Sequence, residues 1–394
     1  MSHTFHIRAL AYDGASETFL SERFSRFQDS FPGFDFRREE VHPEVLLFLS
    51  GGSEQNAIRN IDPSNFYLLI APMENNAFAA ASETSAWMRS RNIRHSLQVW
   101  SKENKNKVVI WLESYQVFKQ RQGKRIGILG KPSPWLVSST PTEDNILNFF
   151  QSEIIPINWE DELDWKSLLP SARFLDFWKL SAKNPTHTNA ARVYQLLVDI
   201  IAEHRLDALS VECFPIAQNE HTTACLALAL LNQDGFSASC EGDMVSTLGM
   251  LLGRMICGKA VWMANLTGAE GHSLFFSHCT LAPELTTDYT LDTHFETGCS
   301  LAIKGELHPG RYTAFRLNNE LDQYFVLEGR QAVGAPFPNA CRSQCRLVAD
   351  AGEEEVANYM EHPLGNHHIL MPGSYEQHLR AFFQIAGLKA YQVG

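Results

Sequence analysis

A chain of 394 residues exceeds what one ordinary hydrophobic core organises, so two or three domains are expected. Its composition, 44% apolar and 20% charged, is that of a soluble globular protein, and a net charge of −12 disfavours general affinity for nucleic acid or an anionic membrane. No run approaches the roughly 18 apolar residues of a membrane span, "MSHTFHIRAL" lacks a basic region followed by an apolar one, and eight scattered cysteines without CxxC pairs suit reduced, buried thiols, so a cytoplasmic protein is expected.

The first third alternates short apolar runs with helical periods. "FHIRAL" reads as a strand, Phe19–Phe27 as a helix, and "VLLFLSGGSE" as a buried strand entering a glycine turn. "FYLLIAP" is the next strand, followed by a helix from about Asn76 to Ser90; "SLQVW", a mixed segment around Lys107–Lys119 and "RIGILGKPSPW" complete the series. Continuous apolar strands alternating with helices imply a doubly wound parallel sheet, whose ligands bind beyond the C-terminal strand ends. The loops Ser50–Glu54, Ala71–Asn76 and Gly130–Trp135 then share one edge.

A second α/β unit follows the Trp-, Pro- and Asp-rich stretch around Pro156–Pro185. Asn189–His204 has helical periodicity, "DALSVECF" is a strand, and "NEHTTACLALALLNQDG" is a helix closing on Gly235. In "SCEGDMVSTLGMLLGRMICGKAVWMAN" an apolar helix begins near Asp243, with Val245, Leu248, Leu252 and Ile256 facing a core, and a strand ends at Asn265. Beyond it, segments such as "SLFFSHCTLAP" and "QYFVLEGRQAVG" alternate apolar and polar residues between turns, the pattern of an antiparallel sheet or barrel. A last helix at about Tyr375–Ala386 closes the chain.

Two carboxylates open that apolar helix. Asp243 lies where a helix cap is expected, whereas Glu241 precedes the helix on a glycine turn at a strand end, where cleft walls form. Among 15 histidines, His278, His294 and the pair His367–His368 have suggestive settings, and adjacent residues of a strand face opposite ways, so at most one of the pair enters a given site. Glu296, two residues beyond His294, shares its face in an extended segment. Carboxylates with imidazoles suit Mn²⁺, Mg²⁺ or a similar ion with open positions rather than structural zinc. Trp135, in a strand-end loop, is the best candidate for stacking on a ligand, and Arg342 and Gln344 in "CRSQC" could recognise a hydroxyl or an anion, although an ordinary strand with exposed polar residues is the preferred reading. There is no GxxxxGK[ST], GxGxxG after a strand, GxSxG or HExxH motif.

Taken in order, "FLSGGSE", "APMENNAFAAASE", "RIGILGKPSPWLVSS", "VECFPIAQNEHTTACLALALLNQDGFSASCEGD", "FSHCTLAP" and "PLGNHHILMPGSYEQHL" resemble the L-fucose isomerase/L-arabinose isomerase superfamily, and more closely its shorter fucose isomerase-like members. The resemblance covers most of the chain. It implies two Rossmann-like doubly wound domains, residues 1–160 and 161–264, followed by a C-terminal antiparallel β-barrel domain, residues 265–394. It also implies a sugar isomerase that binds Mn²⁺ (or Mg²⁺ or Co²⁺) between the second and third domains, interconverts aldose and ketose through the open-chain sugar, and forms homo-oligomers, trimers or hexamers, with shared active sites. By position, Glu241 matches the metal-binding glutamate that can act as a base, His367 the C-terminal metal-binding histidine, and His278 an additional histidine of arabinose-type members.

Asn265 stands where that superfamily carries a second metal-binding carboxylate. An amide oxygen can ligate a hard cation but supplies neither negative charge nor a general base. Three expectations follow: metal held by Glu241, His367 and His278 with Asn265 nearby; a base supplied by Glu296 or Asp243; or a protein that binds sugar without turning it over. A metal-dependent epimerase or lyase would use the same enediolate. Monosaccharide contacts are expected at Trp135, Asn76, Glu54, His294 and Arg342, read from strand-end loops and residue type, and no residue fixes which sugar.

Overall fold

The computed structural model describes residues 3–332, 337 and 339–391. They divide into two compact units, Met1–Gln120 with Gln377–Gly387, and Arg121–Glu376 with Leu388–Gly394.

The first unit is built on β1 (Thr4–Leu10), β2 (Asp35–Arg38), β3 (Val45–Phe48), β4 (Tyr67–Ala71) and β5 (His95–Val99), all parallel in the order β2-β1-β3-β4-β5. Both faces are apolar, and side-chain alternation divides them. Ile7, Val45, Leu47, Leu68 and Ile70 pack with Phe24, Phe27, Val108 and Leu112, whereas Leu10, Leu46, Phe48, Tyr67 and Leu69 pack with Ala77, Ala80, Ala81 and Met88. Helices Glu17–Ser30 and Lys105–Gln120 therefore cover one face and Ala77–Arg89 the other. The mixed segment at 107–119 is thus a helix, with Val108, Leu112 and Tyr115 as its inward stripe.

The last helix, Glu376–Ala386, differs from its sequence assignment to a barrel domain. Ile385 joins the cluster of Phe27 and Val108, Arg94 donates to Ile385 O at 2.9 Å, and Ser114 Oγ donates to His378 O at 3.0 Å.

The second unit opens with a four-stranded parallel sheet of β6 (Arg125–Leu129), β7 (Glu153–Ile157), β8 (Ala208–Val211) and β9 (Ser237–Cys240), in the order β7-β6-β8-β9. The boundary expected at residue 160 would cut this sheet, because β6 and β7 lie before it and β6 hydrogen-bonds with β8. The helix expected over 219–235 is shorter, Cys225–Gln233, and follows a separate turn at Phe214–Asn219; between them His221 has φ +48°. Gly235, at φ +94°, ends the helix as expected.

The barrel strands follow: β10 (Trp262–Glu270), β11 (Ser273–His278), β12 (Thr286–Asp292), β13 (Ala302–Leu307), β14 (Arg311–Leu317), β15 (Gln323–Ala332), β16 (Ser343–Ala349), β17 (His367–Pro372) and β18 (Lys389–Ala390). Six of them close antiparallel in the cycle β11-β10-β17-β14-β15-β16 and back to β11; β12 and β13 extend it beside β16, and β18 beside β15. The chain is therefore mixed α/β, with two parallel sheets and a closed antiparallel barrel.

Helix Met244–Cys257 lies against β17. A Cβ on Gly249 would approach Ile369 Cγ1 to 2.8 Å, and one on Gly253 would meet Met371 Cγ at 3.4 Å, so the two glycines set how closely helix and barrel approach. That approach positions the residues at the start of the helix beside the start of β17. The histidine pair divides as strand geometry requires. His368 turns into the apolar core, where Asn366 O accepts from its Nδ1–H at 3.1 Å and Tyr359 O–H donates to Nε2 at 2.7 Å; burial pushes its pKa down to about 3. His367 faces the other way.

Candidate active site

β9 ends at Cys240, and the next two residues both adopt left-handed backbone, Glu241 at φ +65° and Gly242 at φ +70°. Such a conformation costs a non-glycine residue roughly 1–2 kcal/mol and is retained where the surroundings impose it. Here Ser133 N–H donates to Glu241 O at 2.8 Å, tying the turn to the loop after β6. Gly242 is required for a second reason: a Cβ would lie 2.5 Å from Lys131 O and 2.7 Å from Pro132 Cα. The turn, so held, projects the Glu241 carboxylate beyond the C-terminal edge of the sheet.

Two imidazoles meet that carboxylate. His278 Nε2, at the end of β11, and His367 Nε2, at the start of β17, each lie 3.7 Å from Glu241 Oε1, with ring centroids 5.4 Å apart. Glu241 Oε2 accepts from the Trp135 indole N–H at 2.6 Å. Burial disfavours the Glu241 charge, yet the His278 and His367 rings hold its pKa well below the usual carboxylate range. His367 is fully buried, and its Nε2 has no hydrogen-bond partner. An orphaned imidazole nitrogen beside a shared carboxylate oxygen is a donor set that fits a divalent cation.

Asp243 explains why His367 presents that nitrogen. Its Oδ1 caps the helix by accepting from Ser246 N at 2.7 Å, and its Oδ2 accepts from His367 Nδ1 at 2.8 Å. A carboxylate on Nδ1 keeps a proton there, so Nε2 is the nitrogen that faces Glu241 and that can ligate a cation once its own proton leaves. Burial would lower the His367 pKa, but Asp243 and Glu241 push it up to about 9. Behind Asp243 stands Arg316, 1% exposed, with Nη1 3.6 Å from Oδ2. The guanidinium also donates to Ser246 Oγ, His367 O, Ser138 O and Ser139 Oγ at 2.7–3.1 Å. Gly365 leaves room for it, since a Cβ there would lie 2.6 Å from Nη2.

The remaining expected site residues are distributed unevenly. Trp135 is 48% exposed and packs edge-to-face on Phe214 at 4.7 Å; Phe214 in turn meets His294 at 5.8 Å, so these rings form one wall. Trp135 is thus first a hydrogen-bond donor to Glu241. His294 and Glu296 lie in a turn rather than a strand, with Nε2 and Oε2 3.0 Å apart. Glu296 Oε1 accepts from the Cys341 thiol at 3.3 Å, so both its oxygens are engaged. Asp243 is fully buried and its oxygens are likewise occupied, which removes the geometry of a base reaching substrate. Asn265 stands opposite His367 in the β10–β17 ladder, and its Oδ1 accepts from Asn366 Nδ2 at 2.6 Å. Arg342 lines a separate cavity of about 400 Å³ with Phe275, Tyr289, Lys304 and Arg346, and donates to Thr293 O. Glu54 and Asn76 belong to the first unit, where with Tyr12, Ser50 and Gly51 they line a cavity of about 530 Å³ at the strand ends.

Arg316, Phe214 and the positioning role of Asp243 escape sequence reading. An arginine in the alternating run "RYTAFRLN" looks like a solvent-facing strand residue, and only the tertiary meeting of β14 with helix Met244–Cys257 buries it.

The arrangement is a carboxylate–imidazole cluster at the C-terminal edge of a parallel sheet, roofed by barrel strands, which is the setting of an α/β enzyme cleft. No family model matches the chain. A sulfoquinovose isomerase of Alkalicoccus urumqiensis is 24% identical over 226 residues, 53% of this chain and 51% of that protein. Sulfoquinovose isomerases of Priestia aryabhattai and Priestia megaterium are each 24% identical over 284 residues, 67% of this chain and 63% of theirs. The matched region thus spans about half to two-thirds of these relatives. No helix among the described residues is long and apolar enough to cross a membrane.

Proposed function

We propose that the chain is an aldose–ketose isomerase acting on an open-chain sugar, with Glu241, His278 and His367 holding a divalent cation of the Mn²⁺ type. The observation that carries this reading is the convergence of two buried imidazoles on one oxygen of a strand-end carboxylate, with His367 Nε2 left without a partner. Distant similarity to proteins named sulfoquinovose isomerase and the fucose isomerase-like motifs support the same reading.

The reaction moves a hydrogen between C1 and C2 and needs stabilisation of negative charge on the adjacent oxygens. When bound, the cation supplies that Lewis-acid stabilisation. The chain's own residues do the rest. Asp243 retains the Nδ1 proton of His367 and so fixes which nitrogen faces the cleft. Glu241 carries the transferred proton on Oε2, the oxygen facing away from the imidazoles, after the Trp135 indole lets it go. Trp135 and Phe214 present apolar surface to the sugar's carbon face and exclude water. Asn265, bonded to Asn366, offers an amide oxygen and no base, which makes non-catalytic sugar binding the second reading.

The test is a product screen. Chelator-stripped protein is incubated with a panel of aldoses and ketoses that includes sulfoquinovose, with and without Mn²⁺, in deuterated water, and products are identified by NMR. Cation-dependent interconversion with deuterium at the exchanged carbon is expected. An unchanged panel, with one sugar still raising the melting temperature, would replace the isomerase reading with the binding one.

A further inference from the structure

A second cluster of metal-type ligands adjoins the Glu241 constellation, with Cys279 Sγ 3.9 Å from His278 Nδ1, and none of its members is a ligand or base in the chemistry above. Cys225 opens helix Cys225–Gln233, Cys279 follows β11, and His294 sits in the turn between β12 and β13. All three are buried, each about 4% exposed. Their two sulfurs and one ring nitrogen lie within 4.8 Å of one another, and the sulfurs are 3.2 Å apart. Beside them Glu296 Oε2 lies 3.0 Å from His294 Nε2 and its Oε1 accepts from the Cys341 thiol at 3.3 Å, while Thr297 Oγ1 lies 3.0 Å from His294 Nδ1.

We propose that Cys225, Cys279 and His294 form a three-ligand binding site for a thiophilic divalent ion of the zinc type, distinct from the Glu241 ligand set, with His294 ligating through Nδ1 in place of its contact with Thr297 and the fourth position left open. The ligand chemistry distinguishes the two. Thiolates with an imidazole select soft or borderline d¹⁰ ions in tetrahedral geometry, whereas carboxylate and imidazoles suit a harder ion with open positions. Zinc–sulfur bonds of about 2.3 Å and zinc–nitrogen bonds of about 2.0 Å place tetrahedral ligand atoms roughly 3.5 Å apart. The sulfurs at 3.2 Å and the group's limit of 4.8 Å bracket that spacing. Binding balances as Zn²⁺ plus thiols giving zinc thiolates, with one proton released per thiol. Glu296, whose side chain is 40% exposed, touches both the imidazole and Cys341 and offers those protons a route to solvent, while orienting His294 as outer carboxylates do for metal-bound imidazoles.

The site's place in the fold says what it would do. Its ligands come from the helical layer of the parallel sheet and from two barrel segments, so an ion ties those layers together at one point. Cys279 is the neighbour of His278, and anchoring it fixes the end of β11 that presents His278 to Glu241. A disulfide between Cys225 and Cys279 would need sulfurs at about 2.05 Å and would give His294 no part. The approach of His294 to both sulfurs favours an ion. This inference does not depend on the isomerase reading.

The experiment uses the full chain, reduced and stripped of metal, titrated with Co²⁺. One equivalent should produce an intense near-ultraviolet thiolate-to-cobalt band that Zn²⁺ displaces. Cys225→Ser and Cys279→Ser should each reduce that band at least twofold, and Cys240→Ser, altering the thiol beside Glu241 and His278, should retain it. Absence of the band, or its loss in Cys240→Ser alone, would overturn the proposal. So would a Cys225–Cys279 crosslink found by peptide mapping of unreduced protein. Should the serine variants fail to fold, zinc-edge X-ray absorption of the wild-type chain decides: two sulfur neighbours near 2.3 Å are expected, and a shell of nitrogen and oxygen alone overturns it.

Discussion

Glu241→Gln is expected to abolish hydrogen exchange between solvent and sugar, lowering turnover by about 10²–10⁴-fold, the usual contribution of a positioned general base. The substitution preserves the shape of the side chain and the acceptor for the Trp135 indole, but an amide can neither take a proton nor carry the charge that two imidazoles hold in place. Asp243→Asn makes the informative comparison. Asparagine caps helices about as well as aspartate, so helix Met244–Cys257 keeps its start, while the carboxylate that fixes the His367 tautomer is gone. That change should weaken cation binding by about 10–100-fold and leave the sugar's stereochemical course unchanged. Calorimetric titration with Mn²⁺ and deuterium incorporation measured on both variants separate the roles. Should Glu241→Gln retain more than a tenth of wild-type exchange, another group moves the proton; should Asp243→Asn bind the cation as wild type does, Asp243 is a cap and nothing more.

The two ends of this constellation could be read from the chain and its middle could not. Glu241 stands out because a strand, a glycine turn and an apolar helix follow one another locally, which places its side chain at a sheet edge whatever the rest of the molecule does. His367 is marked by the strand around it, where alternation sends one member of a histidine pair into the core and the other to the cleft. What joins them is not local. The Asp243–His367 contact spans 124 residues and the Trp135–Glu241 contact 106, and each depends on how a loop or a barrel strand returns to the sheet. Asp243 therefore looks like an ordinary cap, which it also is.

The same reasoning accounts for the domain edges. Continuous apolar strands announce parallel sheets, and alternation announces the barrel. Nothing in "RIGIL" says which sheet it joins, because Ile126, Ile128 and Leu129 would suit either. The last helix shows the converse. Its apolar face, with Leu379, Phe382, Phe383 and Ile385, is plain in the sequence, but its partners lie more than 250 residues earlier. The thiols and imidazole at 225, 279 and 294 are scattered for the same reason, and only the tertiary fold gathers them.

Arg316→Met is expected to be the most destabilising single change in the second unit, by about 3–5 kcal/mol, the usual result of removing one partner from a buried charge pair. Methionine fills a similar volume, so the loss does not come from a cavity. It comes from Asp243, left fully buried with its charge opposed only by His367, and from His367 O and Ser138 O, which lose their donors. Burial already works against the Asp243 charge, and the Arg316 guanidinium is the foremost group holding its pKa down. In thermal unfolding the shift should be on the order of 10 °C. The double variant Asp243→Asn/Arg316→Met should recover part of that loss, because it no longer leaves a bare carboxylate in the core. Urea unfolding of the wild type, both single variants and the double variant completes the cycle. A coupling near zero, or an Arg316→Met variant within 1 kcal/mol of wild type, would show that Asp243 does not rely on Arg316 and that the guanidinium serves the backbone carbonyls alone.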